Sequence, residues 1–209
     1  MRIGCNLILA TSFVSAVVER LSRRFPRILF NIVARPAETL HRELNERNVD
    51  LLVARRLGPI ADERLGFERL FDEREVVAAG AQNRWARRRR MALADLMNEP
   101  WVLPPADNVI GAVVLRAFRA RGCDYPRTTV VSDSPHVRLG LVAGGRFLSI
   151  FAASALRFPA PRPDIKILPV ELPLARMPIG VVTLRNRVLS PVARLFVEMA
   201  RDVAKPLAG

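Results

Sequence analysis

Arg2-Ile3-Gly4-Cys5-Asn6 is a short apolar run that breaks into a polar turn, and it opens the stretch, residues 2–54, whose pattern decides the fold. Phe13, Val14, Val17, Val18, Leu21 and Phe25 recur at helical spacing, and Pro26 stops that helix. Ile28-Leu29-Phe30-Asn31-Ile32-Val33 then reads as a strand. Ala37, Leu40 and Leu44 mark a short second helix, and Val49-Asp50-Leu51-Leu52-Val53-Ala54 a third strand. Strands alternating with helices predict parallel pairing through right-handed crossovers. Sheets of that kind place ligands at the carboxyl ends of their strands. The search for function therefore moves to the turns after each strand.

Working outward, the remaining chain repeats the pattern. After Ala54 a loop runs from Arg55 to Leu65, with Gly58-Pro59 as its turn signal. Phe67 to Ala79 is long for one strand. Its charged middle, Asp72-Glu73-Arg74-Glu75, suits a segment crossing between two lobes. Trp101-Val102-Leu103 is a short strand, Asn108 caps a helix closed by Gly122, and Thr128 to Val131 is a strand. Ser134-Pro135 opens another helix as a cap followed by proline at the first helical position. Phe147 to Phe151, Ile165 to Leu168 and Ile179 to Leu184 are further strands. Ser190-Pro191 opens a final helix whose Val192, Leu195, Phe196, Met199 and Val203 share one face. The expected architecture is α/β, with two lobes joined by two crossover strands and a cleft between them. Lobe I is residues 1–73 plus 175–209, and lobe II is 74–174.

Composition narrows the function classes. The chain has 209 residues, half of them hydrophobic, and a formal charge of +13 from 33 Lys and Arg against 20 Asp and Glu. No apolar stretch reaches the ~18 residues of a spanning helix, and residues 1–18 do not read as a signal peptide, so a cytoplasmic protein is expected. Cys5 and Cys123 have no Cys or His at metal-ligand spacing and read as inert thiols, with redox sensing by Cys5 as the minor alternative. The run Arg84-Trp85-Ala86-Arg87-Arg88-Arg89-Arg90 reads as a solvated loop. No recognition helix, zinc-finger spacing or interleaved aromatics accompany it, so the charge predicts only weak, salt-sensitive contact with polyanions. His41 and His136 lack partner motifs. No nucleophile elbow or phosphate-binding glycine loop is present, and neither an enzyme nor a cofactor or metal site is expected.

Taken in order along the chain, several segments resemble the effector-binding domain of LysR-type transcriptional regulators. They are Arg2-Ile3-Gly4 with Leu9-Ala10, Phe25-Pro26, Leu40, Leu44 and Val49-Asp50-Leu51. Asn83-Arg84-Trp85-Ala86, Asp95-Leu96 and Pro100-Trp101-Val102-Leu103 come next, then Leu141-Val142-Ala143-Gly144 and Arg187-Val188-Leu189-Ser190-Pro191. The similarity covers essentially the whole chain. It implies the type 2 periplasmic-binding-protein fold, a small-molecule effector held in the interlobe cleft, and a homodimer, or a tetramer at full length. It also implies a winged helix-turn-helix ahead of residue 1, through which alone DNA would be bound. Two positions depart from the family pattern. Phe147 stands in place of a glycine and is expected to narrow the cleft, and Ala152 stands in place of a proline. A solute-binding protein of a transport system is the alternative on the same fold.

The resemblance also nominates site residues. Asn6 and Leu7 follow the first strand, where the family places a ligand-binding hydroxyl. Ala37 lacks a hydroxyl but offers its backbone N–H near a helix start. Arg55 lies just past the third strand, where relatives place a carboxylate-binding arginine, and so points to a carboxylate or other anion. Asn108, Ile110, Ser132 and Ser134 are the facing lobe's expected contributions. The dimer interface is expected to join Ser12–Arg24 and Ile28–Val33 of one chain to Val109–Arg121 of another. The apolar residues of the first helix exceed a narrow stripe, which would leave some for that partner.

Overall fold

The computed structural model describes residues 1–56, 62–107, 109–126 and 128–207. The chain divides into two compact units. One comprises Met1–Glu73, Arg157–Pro159 and Met177–Gly209, and the other Arg74–Leu156 and Ala160–Arg176. The chain therefore leaves the first unit between Glu73 and Arg74 and returns for good between Arg176 and Met177.

The first unit is built on a five-stranded sheet. Its strands are β1 (Arg2–Cys5), β2 (Asn31–Ala34), β3 (Leu51–Arg55), β4 (Leu65–Glu73) and β10 (Met177–Leu184), in the order β2-β1-β3-β10-β4. β1 pairs parallel with both β2 and β3, with Cys5 opposite Ala34 and Val53. This is the arrangement expected of the opening stretch. β10 runs antiparallel to β3 and β4. The second strand is shorter than its apolar run suggests, because Phe25 to Phe30 is spent turning out of the helix.

That first helix has an unexpected irregularity. A short α1 (Leu7–Leu9) passes through a π-helical turn, Ala10–Val14, into α2 (Ser15–Arg24). The hydroxyls of Ser12 and Ser15 donate to the carbonyls of Ile8 and Ala10, both at 2.5 Å, and occupy acceptors that the widened turn disturbs. Phe13, Val14, Val17 and Leu21 are fully covered by their own unit, in a core shared with Phe196, Val197 and Val203 of α6 (Pro191–Ala204). Much of the first helix's apolar surface is thus spent within its own unit, while Val18 and Phe25 stay half-buried. Among the described residues, the large apolar side chains left exposed in this region are Leu7, Leu29, at 83%, and Ile32, at 37%. On the other sheet face α3 (Ala37–Asn45) seats Leu40 and Leu44 against Leu52 and Val182.

The second unit repeats the plan with β5 (Glu75–Gly80), β6 (Trp101–Leu103), β7 (Thr128–Val131), β8 (Leu148–Ala152) and β9 (Ile165–Ile167), in the order β7-β6-β8-β5-β9. One face is filled by Trp101 and Phe118, packed edge to face at 5.5 Å, with α4 (Val109–Arg119) above them. Trp101 also donates its indole N–H to the Leu96 carbonyl at 2.8 Å, which removes the cost of burying it. The other face is covered by Leu139 and Val142 of α5 (Pro135–Ala143). Gly122 closes the α4 region in a left-handed conformation, φ 67°, that glycine adopts without a Cβ penalty.

The charged run at 72–75 is where the long strand divides. β4 ends at Glu73, β5 begins at Glu75, and the two strands belong to different sheets. Patterning alone did not locate one return: Arg157–Pro159 groups with the first unit, where the Phe158 ring packs edge-on against Phe13 at 6.4 Å. The Gly58-Pro59 turn and the Asn108 cap lie outside the described residues. Among the described residues no helix is long and apolar enough to cross a membrane.

Candidate functional site

In the first unit, the register of the parallel strands fixes which residues share the carboxyl edge. Cys5 is level with Ala34 and Val53, so Asn6 and Leu7, the start of α3 and Arg55 all emerge at that edge. Asn6 spends its side-chain oxygen on the Leu9 N–H at 2.9 Å, as the cap of α1, and keeps its amide N–H₂. Leu7 is 43% exposed. Ala37 is the exposed first residue of α3, and Pro36 accepts from Thr39 and Leu40 through its carbonyl. Arg55 is half-buried, and its Nη1 donates to the Met177 sulfur at 3.9 Å. All four candidates of the first unit therefore lie along one edge.

In the second unit, Leu103 is level with Val131, and the Ser132 N–H donates to the Leu103 carbonyl at 3.0 Å. A tight polar turn comes next. The Ser134 N–H donates to Ser132 Oγ at 3.2 Å, and Ser134 Oγ accepts from the Val137 N–H at 3.4 Å. Ser134 is thus the cap of α5 and Ser132 its support. Both are half-buried at the sheet's carboxyl edge, and Ile110 is half-buried in the first turn of α4. Asn108 lies outside the described residues. Phe147 is not at this edge. It precedes β8, whose Leu148 is level with Trp101 at the opposite end of β6, and it packs in the cluster of Val142 and Leu139. Its ring fills core rather than narrowing a ligand cleft.

Sequence patterning missed Arg138. It is 6% exposed, one helical turn into α5. Its Nη1 donates to the Ile150 carbonyl at 3.1 Å, and its guanidinium carbon stands 5.3 Å from the centre of the Phe151 ring. Its Nε is buried with no hydrogen-bond partner. Burial pulls its pKa below the usual arginine value, while the charges of Glu75, Tyr125 and Asp133 oppose that shift. Glu75 opens β5, level with Ala152, so these groups meet at the same carboxyl edge as Ser132 and Ser134. A signal was available. In α5, Pro135, Arg138, Leu139 and Val142 share one helical face, and Arg138 is the only charged residue on it.

Cys5 is fully buried, and burial pushes its thiol pKa up to about 12, which is the environment of an inert thiol. Among the described residues no group of three or more His, Cys, Asp or Glu could hold a metal ion.

Two α/β units with polar groups gathered at the strand carboxyl ends define a ligand-binding class of α/β protein. Comparison narrows this further: the chain matches the LysR substrate binding domain over residues 1–205, and it belongs to that family. It is 24% identical over 193 residues to the HTH-type transcriptional regulator GbpR of Azospirillum brasilense, covering 92% of this chain and 56% of that protein. The chain thus spans little more than half the length of that relative. Among solved structures it resembles the CcmR regulatory domain of Synechocystis PCC6803 in complex with 2-PG, with a TM-score of 0.76 at 18% identity over 98% of this chain and 97% of that one. It also resembles the BenM effector binding domain with its effector benzoate, with a TM-score of 0.73 at 22% identity over 99% and 92% of the two chains.

Proposed function

We propose that this chain is the part of a transcription regulator that senses a small-molecule effector. The observation that carries the reading is the family match over residues 1–205, joined to the polar edge found in each unit. Asn6, Leu7, Ala37 and Arg55 of the first unit, with Asn108, Ile110, Ser132 and Ser134 of the second, are the residues assigned to the effector. Arg55 donates to an oxygen of that molecule through its planar fork. The solved relatives named with 2-PG and benzoate support an effector of that size and acidity. Contact with DNA is assigned to the part of the regulator outside this chain, and the whole acts in the cytoplasm as a homodimer, or as a tetramer at full length. The role is binding rather than catalysis. The family match favours it over the solute-binding alternative.

Binding alone shifts no equilibrium; the effector must prefer one state of the sensor over another. A thermal-shift screen of small carboxylates, aromatics and sugars tests the reading. A true effector at 100 times its dissociation constant stabilises by about 2.7 kcal/mol. Arg55→Ala should weaken that effector roughly 10- to 150-fold, the loss of one charge-assisted hydrogen bond. A screen in which nothing stabilises the chain contradicts effector sensing, and unchanged affinity of a folded Arg55→Ala protein removes Arg55 from the site.

A further inference from the structure

A fixed cationic surface lies at the end of the second sheet where β6 begins. The chain leaves β5 at Gly80, and the preceding Ala79 is level with Leu148, as is Trp101 at the start of β6. The residues assigned to the effector in this unit stand at the other end of β6, so the two places are separate. Arg87, Arg88, Arg89 and Arg90 are all exposed in the connection after β5. The Asn83 amide donates to the Gly145 carbonyl at 2.8 Å, which puts the exposed Arg146 at the same end of the unit. Among the described residues none of these guanidiniums has an ion-pair partner. The acids nearby are spent: Glu99 accepts from Arg84, Asp95 from the Ala92 N–H at 2.8 Å, and Asp164 from Arg162 at 3.0 Å. Adjacent like charges repel and would spread apart on a free chain. Here both ends of the run are held. Asn83 is buried and accepts from the Trp85 N–H at 2.9 Å, and the Arg88 N–H donates to the Trp85 carbonyl at 3.1 Å, closing a tight turn over Arg84–Arg87. At the far end Asp95 fixes Ala92, and Met91 and Trp85 both pack against the core of Trp101 and Phe118.

We propose that this surface docks an acidic segment of another protein, one whose carboxylates are interspersed with apolar side chains. Every cation in it is an arginine, whose planar fork takes both oxygens of a carboxylate at once. Trp85 and Met91, half-buried at the two ends of the run, supply apolar contact beside the charges. Arginine, tryptophan and methionine are the residue types that protein interfaces concentrate. A nucleic-acid duplex would use the charges but not Trp85 and Met91. Nor does the surface present a helix long enough to lie in a groove, since its turn covers Arg84–Arg87 only. With 33 basic residues against 20 acidic, a second copy of this chain has no surplus of carboxylates to match the run. Because the surface stands away from the carboxyl ends of β6 and β7, the protein segment and an effector are held independently, and docking does not depend on the effector site.

The test is fluorescence anisotropy of a labelled peptide of repeating Glu-Asp-Phe-Glu, titrated with the 209-residue chain at physiological salt. A counterpart with Gln and Asn in place of the acids isolates apolar contact, and a random-sequence DNA duplex is the rival ligand. The acidic peptide should bind and its neutral counterpart should not. The joint variant Arg88→Ser, Arg89→Ser, Arg90→Ser should weaken the acidic peptide roughly 3- to 150-fold, the loss of three exposed ion pairs. The joint variant Arg20→Ser, Arg27→Ser, Arg194→Ser removes the same charge from exposed positions of the first unit and should leave the affinity nearly unchanged. Hydrogen exchange of the unaltered chain gives the answer where the first variant fails to fold: the peptide should slow exchange over residues 84–92 and not at 132–138. Equal losses in the two joint variants would assign the binding to net charge and overturn the proposal. A duplex that binds more tightly than the peptide at physiological salt, and is lost in the Arg88–Arg90 variant, would give the surface to nucleic acid and overturn it too. So would an acidic peptide that does not bind, or that protects only segments outside 84–92.

Discussion

Burial decides the chemistry of single residues here more than residue type does. The Cys5 thiol is raised from 9.0 to about 12 by desolvation, so the folded protein favours its neutral form. This contribution to stability is complete below about pH 9 and is lost as pH rises toward about 12, because the unfolded thiol ionises first. Wild type should therefore lose stability on going to alkaline pH more steeply than Cys5→Ala, as read by urea midpoints. In the native state iodoacetamide should label Cys123, which is half-buried, and leave Cys5 untouched; labelling of Cys5 at the same rate would contradict the buried placement. Site residues differed in how legible they were for the same reason. Asn6 and Ser134 were readable because a cap has a fixed position relative to its helix, and each does accept from the N–H three residues on. Arg138 was not singled out, because in a chain with 33 basic residues a lone arginine carries little signal until its burial is known.

At the scale of elements, the same substitution should act with opposite sign in two helices. A Cβ added at Gly111, in the first turn of α4, would lie 1.9 Å from the Pro105 carbonyl oxygen. Backbone on both sides cannot give way cheaply, so Gly111→Ala should destabilise by about 1–3 kcal/mol or more. A Cβ at Gly140, in the middle of α5, meets nothing within 4 Å. Gly140→Ala should therefore stabilise by about 0.5–1 kcal/mol through helix propensity alone. Thermal melts of the two variants check the pair, and a common sign would contradict the packing of α4 on the 104–107 turn. The parallel β1, β2 and β3 were legible because apolar period and breakers agree over the opening stretch. The π-helical turn at Ala10–Val14 was not, because the apolar positions around it still look helical. The shortened β2 was not either: Ile28 and Leu29 are apolar but serve the turn after Pro26, where Leu29 is left exposed. The break between β4 and β5 was legible only as a charged interruption. Which sheet each half joins depends on strand pairings distant in sequence, with β10 and β8.

For the whole molecule, the +13 charge and the two-unit plan carry separate predictions. Arg87 to Arg90 are exposed in the connection after β5, where they can touch phosphates without reading bases. The chain alone should bind DNA of any sequence weakly, and binding should fade between low and physiological salt in gel-shift titrations. A sequence preference that survives physiological salt would contradict the assignment of DNA recognition to another part of the regulator. The proposed homodimer, with the exposed Leu29 and Ile32 of the β2 region in its interface, should be visible by light scattering at about 100 µM, where even micromolar association is evident. Monomer only would count against it. The central proposal is that residues at the carboxyl ends of the strands bind an effector, and amide hydrogen exchange with and without a ligand found by screening tests it most directly. The account predicts slowed exchange at residues 6–10, 35–38 and 132–138, with the opposite sheet edges and the 84–90 segment unchanged. Protection confined to 84–90, or no protection at either strand-end set at saturating ligand, would contradict it.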